Sequence, residues 1–184
     1  SHNKYYKELK ISSDKLPDND SWKQLSIYPI EIILPQNKKI AQKTANLNSN
    51  ESDFNGILAG VGALGSILAD IWSKEGWGNW TYVDDDYIRP HNIYRHIARD
   101  INIGMKKVEV VNIFTTSNYP PGYLHNEIIC SKINMFNDEE ISSAFNDSSL
   151  LIDATTSLDA PRDIASNDNV PRSASVFLTP SGKS

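Results

Sequence analysis

The residues able to do chemistry in this chain fall in a few tight groups. Gly60, Gly62 and Gly65 form a Gly60-x-Gly62-x-x-Gly65 pattern directly behind the apolar run Ile57-Leu58-Ala59. At this spacing one glycine permits a tight turn, one lets backbone N–H groups approach a phosphate, and one lets helix and strand pack closely. The positive end of the helix that follows then faces the phosphate. Asp84 opens the run Asp84-Asp85-Asp86 about 20 residues later, where a carboxylate can hold both hydroxyls of a ribose. A dinucleotide and ATP would use the same glycines and the same acidic residue. What separates them is the segment beyond Asp84, because a triphosphate carries more charge and needs cations besides the helix terminus. Arg95 and Lys107 supply those cations, one on a connecting loop and one at a helix start, and Asn92 lies beside them.

These residues need a scaffold, and the apolar pattern supplies it. Leu64, Ile67, Leu68 and Ile71 recur at helical spacing, with Gly76 and Gly78 as the stop, and Trp80-Thr81-Tyr82-Val83 follows as a second strand. The stretch over 87–100 is too polar for a core element and leads into 103–111 as the start of a second crossover helix, which Asn118-Tyr119-Pro120-Pro121-Gly122 ends. A third strand over 127–130 would bury Cys130 as an inert packing residue. A helix over 138–145 with Asp138 near its start, a fourth strand over 150–153, a short helix over 159–165 and a final strand over 174–178 complete the series before Pro180-Ser181-Gly182. The fourth strand shows no polar alternation, as in a parallel sheet covered on both faces. The predicted fold class is α/β: a doubly wound, mostly parallel Rossmann-like sheet with helices on both faces. Trp72, Trp77 and Trp80 read as core and edge packing.

Residues 1–50 read as an N-terminal arm or linker, and 51–184 as the nucleotide-binding domain. The arm is polar over 1–24, with a turn signal at Pro17-Asp18-Asn19-Asp20. A β-rich run over 25–34, interrupted by Pro29 and closed by Pro35, suggests an edge strand. The connection over 38–53 has room for one short helix. A formal charge of −5 over 184 residues argues against nucleic-acid or anionic-membrane partners. One cysteine excludes an intrachain disulfide and any Cys-pair zinc site. With no apolar run of membrane-spanning length and no signal-peptide core, a soluble cytoplasmic protein is expected. Ser1-His2 at the start reads as a cloning scar or processing site, so the chain is expected to be a piece of something longer.

Gly60-Val-Gly62-Ala-Leu-Gly65, Val83-Asp84-Asp85-Asp86, Asn92-Ile-Tyr-Arg95-His96, Gly104-Met-Lys-Lys107-Val-Glu and Leu151-Ile-Asp153-Ala-Thr-Thr-Ser together resemble the ThiF/MoeB superfamily. These are the adenylating domains of ubiquitin-activating enzymes and their bacterial relatives. The resemblance runs in order over 54–181, and its wording is most similar to the bacterial forms fused to ubiquitin-conjugating-like domains. It implies that the C-terminal carboxylate of a ubiquitin-like or sulfur-carrier protein attacks the α-phosphate of ATP, giving an acyl-adenylate and pyrophosphate. Carried over position by position, it places Gly60, Gly62 and Gly65 on the nucleotide, Asp84 on the ribose, and Asn92, Arg95 and Lys107 on the phosphates, with Arg95 and Lys107 as the catalytic cations. Asp86 and Asp153 would serve Mg2+. The resemblance also implies a two-fold homodimer.

Three departures stand beside it. Family members commonly carry an aspartate where this chain has Thr156, and a hydroxyl is a weaker magnesium ligand than a carboxylate. Asp153 or Asp159 would have to compensate. Thioester-forming relatives keep their cysteine beyond the last strand read here, and the amino-terminal arginine of many relatives has no match. The alternative is therefore a non-catalytic nucleotide-binding or docking partner of the same fold; an NAD-linked oxidoreductase fits least. His91 and His96, flanking the phosphate loop, read as orienting or surface residues, because an ionised carboxylate needs no general base.

Overall fold

The computed structural model of the chain describes residues 20–32 and 35–178. Strands β1 (Asn55–Ala59), β2 (Asn79–Val83), β3 (Glu127–Ile129), β4 (Leu150–Asp153) and β5 (Arg172–Ser175) form one sheet in the order β3-β2-β1-β4-β5. Every pairing is parallel, with Leu58 beside both Tyr82 and Ile152. The long crossovers are made by α3 (Ala63–Glu75), α4 (Lys107–Thr116), α5 (Glu139–Asp147) and α6 (Asp159–Ala165), after two short helices, α1 (Lys38–Thr44) and α2 (Ser49–Ser52). The chain runs outward from β1 through β2 to β3, then returns to lay β4 and β5 on the other side of β1. That reversal leaves a crevice at the carboxyl ends of β1 and β4, where ligands sit in open α/β sheets.

Successive residues of β1 enter different cores, which is why its sequence shows no alternation. Ile57 and Ala59 pack with Ile141, Phe145, Leu151 and Ile164 on the α5/α6 face. Leu58 packs with Val61, Ala69, Tyr82, Val108 and Val111 on the α3/α4 face. Ile57 and Leu58 are fully buried, each contributing about 1.5–3 kcal/mol of transfer free energy. Phe54, Trp72, Trp77 and Trp80 close the amino end of the sheet, with Trp72 and Trp80 stacked at 4.5 Å, far from the crevice. α3 ends as expected at Gly76, whose left-handed φ of 70° lets its N–H reach Ser73 and Trp72 carbonyls. No helix among the described residues is long and apolar enough to cross a membrane.

The amino-terminal part differs from the sequence reading. The larger compact unit begins at Pro35, earlier than the domain boundary expected at residue 50. Its first helix, α1, is capped by the Asn37 side chain and buries Ala41 and Gln42. The Gln42 amide donates to the Gly76 carbonyl at 3.0 Å, and the Lys38 ammonium meets Asp53 at 2.7 Å and Asn79 at 2.9 Å. Hydrogen bonds rather than an apolar stripe anchor this polar segment, so hydrophobic periodicity gives no sign of it. Residues 1–34 form the other unit. Its described part is a 3-10 turn, Asp20–Gln24, followed by extended chain. The edge strand expected over 25–34 is not formed over 25–32: Pro29 offers no N–H to a ladder, and Leu25, Ile27, Tyr28, Ile30 and Ile32 are exposed. Ile33, Leu34, Pro17 to Asn19 of the expected turn, and Pro180-Ser181-Gly182 lie outside the described residues.

Two strand ends also differ. β3 stops at Ile129, leaving Cys130 exposed rather than buried. β5 stops at Ser175, and the Val176 N–H closes the pairing on the Asp153 carbonyl.

Candidate functional site

The glycine turn is dictated by close approach at two of its three glycines. Gly60 has φ +80°, and a Cβ there would lie 2.7 Å from the Thr155 backbone. A Cβ on Gly65 would lie 2.0 Å from the Gly60 carbonyl oxygen, so the first turn of α3 packs directly on the loop before it. Gly62 is different: nothing lies within 4 Å of the missing Cβ. The space in front of Gly62 is open, and Gly62 is also the N-cap of α3, with no side chain capping the helix. The first N–H groups of a thirteen-residue helix thus face a cradle fit for an oxyanion.

Asp84, at the end of β2, ties this turn to the next crossover. Its Oδ2 accepts from the Val61 N–H and its Oδ1 from the Asp86 N–H, both at 2.9 Å. Burial pushes the Asp84 carboxyl above the usual carboxylate range, against the opposing pull of Lys107 and these two N–H groups. The Lys107 ammonium stands 2.6 Å from Asp86 Oδ2 and 3.8 Å from Asp84 Oδ1. That contact holds Asp86 below the usual range, its hydrogen bond to Lys107 outweighing partial burial. The loop is pinned to the start of α4, since the Lys107 N–H donates to the Asp86 carbonyl, the Ile88 N–H to the Met105 carbonyl and the Gly104 N–H to the Ile88 carbonyl. Lys106 donates to the Asp85 carbonyl at 2.8 Å and lies over the Tyr87 ring.

Asn92 and Arg95 complete one wall. The Asn92 side-chain oxygen accepts from the Arg89 N–H at 2.8 Å, which leaves its amide hydrogens free to donate. The Arg95 guanidinium is exposed and has no ion-pair partner among the described residues. His96 is buried, its Nε2 donating to the Val61 carbonyl at 2.8 Å and its Nδ1 accepting from the Ala98 N–H at 2.9 Å. Both ring nitrogens of His96 are thus bonded to backbone, whereas His91 is exposed.

These groups border a cavity of about 500 Å³, within the range that takes drug-sized ligands. Gly60, Gly62, Asp84, Asp86, Asn92, Arg95 and Lys107 all line it. A family model for the ThiF family matches residues 47–167. The chain belongs to the ThiF family. Among solved structures, the E. coli tRNA N6-threonylcarbamoyladenosine dehydratase TcdA in complex with ATP is similar at a TM-score of 0.59 and 20% identity, covering 74% of this chain and 54% of that chain. PaaA is similar at 0.55 and 21% identity, covering 69% and 38%. E. coli MccB with ATP is similar at 0.50 and 18% identity, covering 69% and 35%. These likenesses are of fold, and the chain spans about half the length of the TcdA chains it matches. No curated protein sequence matches it.

In this ThiF-family chain two expected site residues stand apart from the cavity wall. Gly65 acts behind it, through packing on Gly60. Asp153 is turned into the sheet: its Oδ1 accepts from the Thr155 N–H at 3.0 Å and the Thr155 hydroxyl at 2.7 Å, and its Oδ2 from the Ser175 hydroxyl at 3.2 Å. A carboxylate bound on both oxygens locks β4 to β5 and to the following loop, and it is not among the residues that line the cavity. The oxygen donors grouped for a hard cation are Asp84, Asp85 and Asp86, whose ligand atoms lie within 4.8 Å of one another. Asp85 was not singled out in the sequence. Nor were Ser131, Lys132 and Asn134 beyond β3, or Thr155 and Ser157 beyond β4, which also line the cavity. The one available signal was their position just past strand carboxyl ends. Thr156 lines the cavity with a left-handed φ of 58°, an outlier for a β-branched residue. Asp159, at the start of α6, lines it too.

Proposed function

We propose that this chain is an ATP-dependent adenylating domain that activates a carboxylate, the acceptor being the C-terminus of a ubiquitin-like or sulfur-carrier protein. The observation that carries the reading is the convergence on one cavity of an open Gly62 cradle at an uncapped helix N-terminus, the half-buried Asp84, and the donors Asn92, Arg95 and Lys107. A ribose diol suits Asp84 and a polyphosphate suits the cations, which favours ATP over NAD. In the step itself a carboxylate oxygen attacks the α-phosphorus while the bond from that phosphorus to the bridging oxygen breaks, and pyrophosphate leaves with the electron pair. No proton has to move. The domain's contribution is positioning and neutralisation of phosphate charge, by Lys107, Arg95 and the α3 terminus. Magnesium, when bound, would neutralise further phosphate charge, and Asp86 with Asp85 has the right donor chemistry to hold it. The family membership and the ATP in the TcdA and MccB structures support this reading.

A two-fold homodimer belongs to the same proposal, because β5 is an edge strand with every residue exposed and edges of this kind invite pairing. One observation favours the second reading, a non-catalytic docking partner: the family's carboxylate is absent at Thr156 and Asp153 is committed to the sheet. Calorimetric titration with ATP and NAD, followed by ATP–pyrophosphate exchange with candidate carrier proteins, separates the readings. ATP binding without exchange under any carrier or oligomeric state favours the docking partner, and tighter binding of NAD than ATP overturns both.

A further inference from the structure

Val61, in the middle of the glycine turn, is held from both sides. Its N–H is fixed by Asp84 Oδ2 and its carbonyl by His96 Nε2. Since Val61 is followed immediately by Gly62, these two bonds set the direction in which the next peptide groups point at the cavity. His96 can hold the carbonyl only in one state. Nε2 must carry the proton to donate, and Nδ1 must lack one to accept from the Ala98 N–H. The required species is the neutral imidazole protonated on Nε2. Burial favours that species by pulling the ring below its ordinary pKa, and the Lys107 charge acts in the same direction.

We propose that His96 is the positioning residue of the phosphate cradle, making recognition of the phosphates, and not of the nucleoside, dependent on its neutral state. The proposal rests on the nucleotide reading above. His96 touches neither the ligand space nor any metal-binding carboxylate; it acts through Val61. The charged groups around it are Lys107 from the start of α4, Asp84 from the end of β2 across the Val61 peptide, and the exposed Arg95 and Arg99 on its own loop. Of these, Lys107 opposes a second proton on the ring. Because the folded value lies below the unfolded one, the contribution of His96 is present above the ordinary histidine value of about 6.5 and is lost as pH falls through the folded value.

The test measures affinity for ATP and for adenosine between pH 5 and 8 in the full chain and in His96→Ala and His96→Gln. Loss of the cradle hydrogen bond is expected to weaken ATP binding about tenfold in His96→Ala while leaving adenosine within about twofold. His96→Gln, which keeps a donor and an acceptor but does not titrate, should restore much of the ATP affinity and flatten its acid limb. Equal losses for ATP and adenosine, or an unchanged acid limb in His96→Gln, would overturn the proposal by making His96 a general packing residue. Should the wild-type chain bind no ATP, the nucleotide reading falls. Amide exchange then decides His96 on its own: selective deprotection in His96→Ala of Val61, whose N–H is bonded to Asp84, and of Ser66, whose N–H is bonded to the Gly62 carbonyl, supports the positioning role, and unchanged protection there refutes it.

Discussion

Replacing Lys107 by Ala removes one ammonium that serves two aspartates, and the structure separates the consequences. The Asp86 carboxylate is 58% exposed, so its 2.6 Å contact with Lys107 contributes under about 1 kcal/mol to stability despite its short length. The Asp84 side chain is only 9% exposed, and its 3.8 Å separation from Lys107 corresponds to about 4 kcal/mol of gross attraction at an effective dielectric of about 20. Most of that is offset, because Lys107 itself no longer has to be desolvated and Asp84 keeps its Val61 and Asp86 N–H partners. A net loss of about 1–2 kcal/mol in unfolding free energy is expected. ATP affinity should fall further in proportion, by about 1–3 kcal/mol for a lost charge-assisted phosphate contact, or about 5- to 150-fold in Kd. Denaturant unfolding gives the first quantity and calorimetry the second. Lys107→Met, which keeps the buried stem, should recover part of the stability but none of the ATP affinity. A folded Lys107→Ala protein whose ATP Kd stays within about twofold of wild type would refute the phosphate role.

Gly62→Ala should leave thermal unfolding unchanged or slightly raised, since its Cβ meets nothing within 4 Å, yet weaken ATP binding by filling the cradle; an unaffected Kd would remove Gly62 from the site. Gly60→Ala should lose at least about 2 kcal/mol of stability through its positive φ and the Thr155 clash, read from denaturant unfolding. Asp153→Ala should cost about 2–4 kcal/mol by leaving Thr155 and Ser175 without their acceptor, while the magnesium dependence of ATP binding, measured where the variant is folded, stays that of wild type.

Where tertiary structure follows a local pattern, the sequence shows it. α3 was legible because an apolar 3.6-residue period lies between Gly62 and a left-handed Gly76, and α6 because Asp159 and Ala165 bound a compact periodic run. β3 and β5 were placed but not bounded, since short strands exist only by pairing and nothing in Cys130 or Val176 announces where the neighbour ends. α1 fits the short helix that the connection over 38–53 has room for, but its bounds were not legible, because Lys38 and Gln42 anchor it by polar contacts to residues distant in sequence. In the site, spacing gave the residues that reach the cavity from the glycine turn and from β2, together with Lys107 on α4. It could not give their states: that Asp84 is already bonded to Val61, that Lys107 is paired with Asp86, or that Asp153 is spent on the sheet.

Thr156 brings these threads to one position. A β-branched residue with φ of 58° is strained by about 1–3 kcal/mol, and strain of that kind persists only where the surroundings impose it. Here β4, the Asp153–Thr155 bonds and the Gly60 contact impose it. Aspartate enters the left-handed region far more readily than threonine, so Thr156→Asp should fold at least as stably as wild type. It would also place a carboxylate on the wall of the cavity that the Asp84-Asp85-Asp86 run lines. If the chain is an adenylating domain limited by weak cation binding, magnesium-dependent pyrophosphate exchange should rise in this variant, and its magnesium requirement should shift to lower concentration. Absence of both changes in a stable Thr156→Asp protein that binds ATP would refute the cation as the limit on catalysis and leave the docking reading the stronger one.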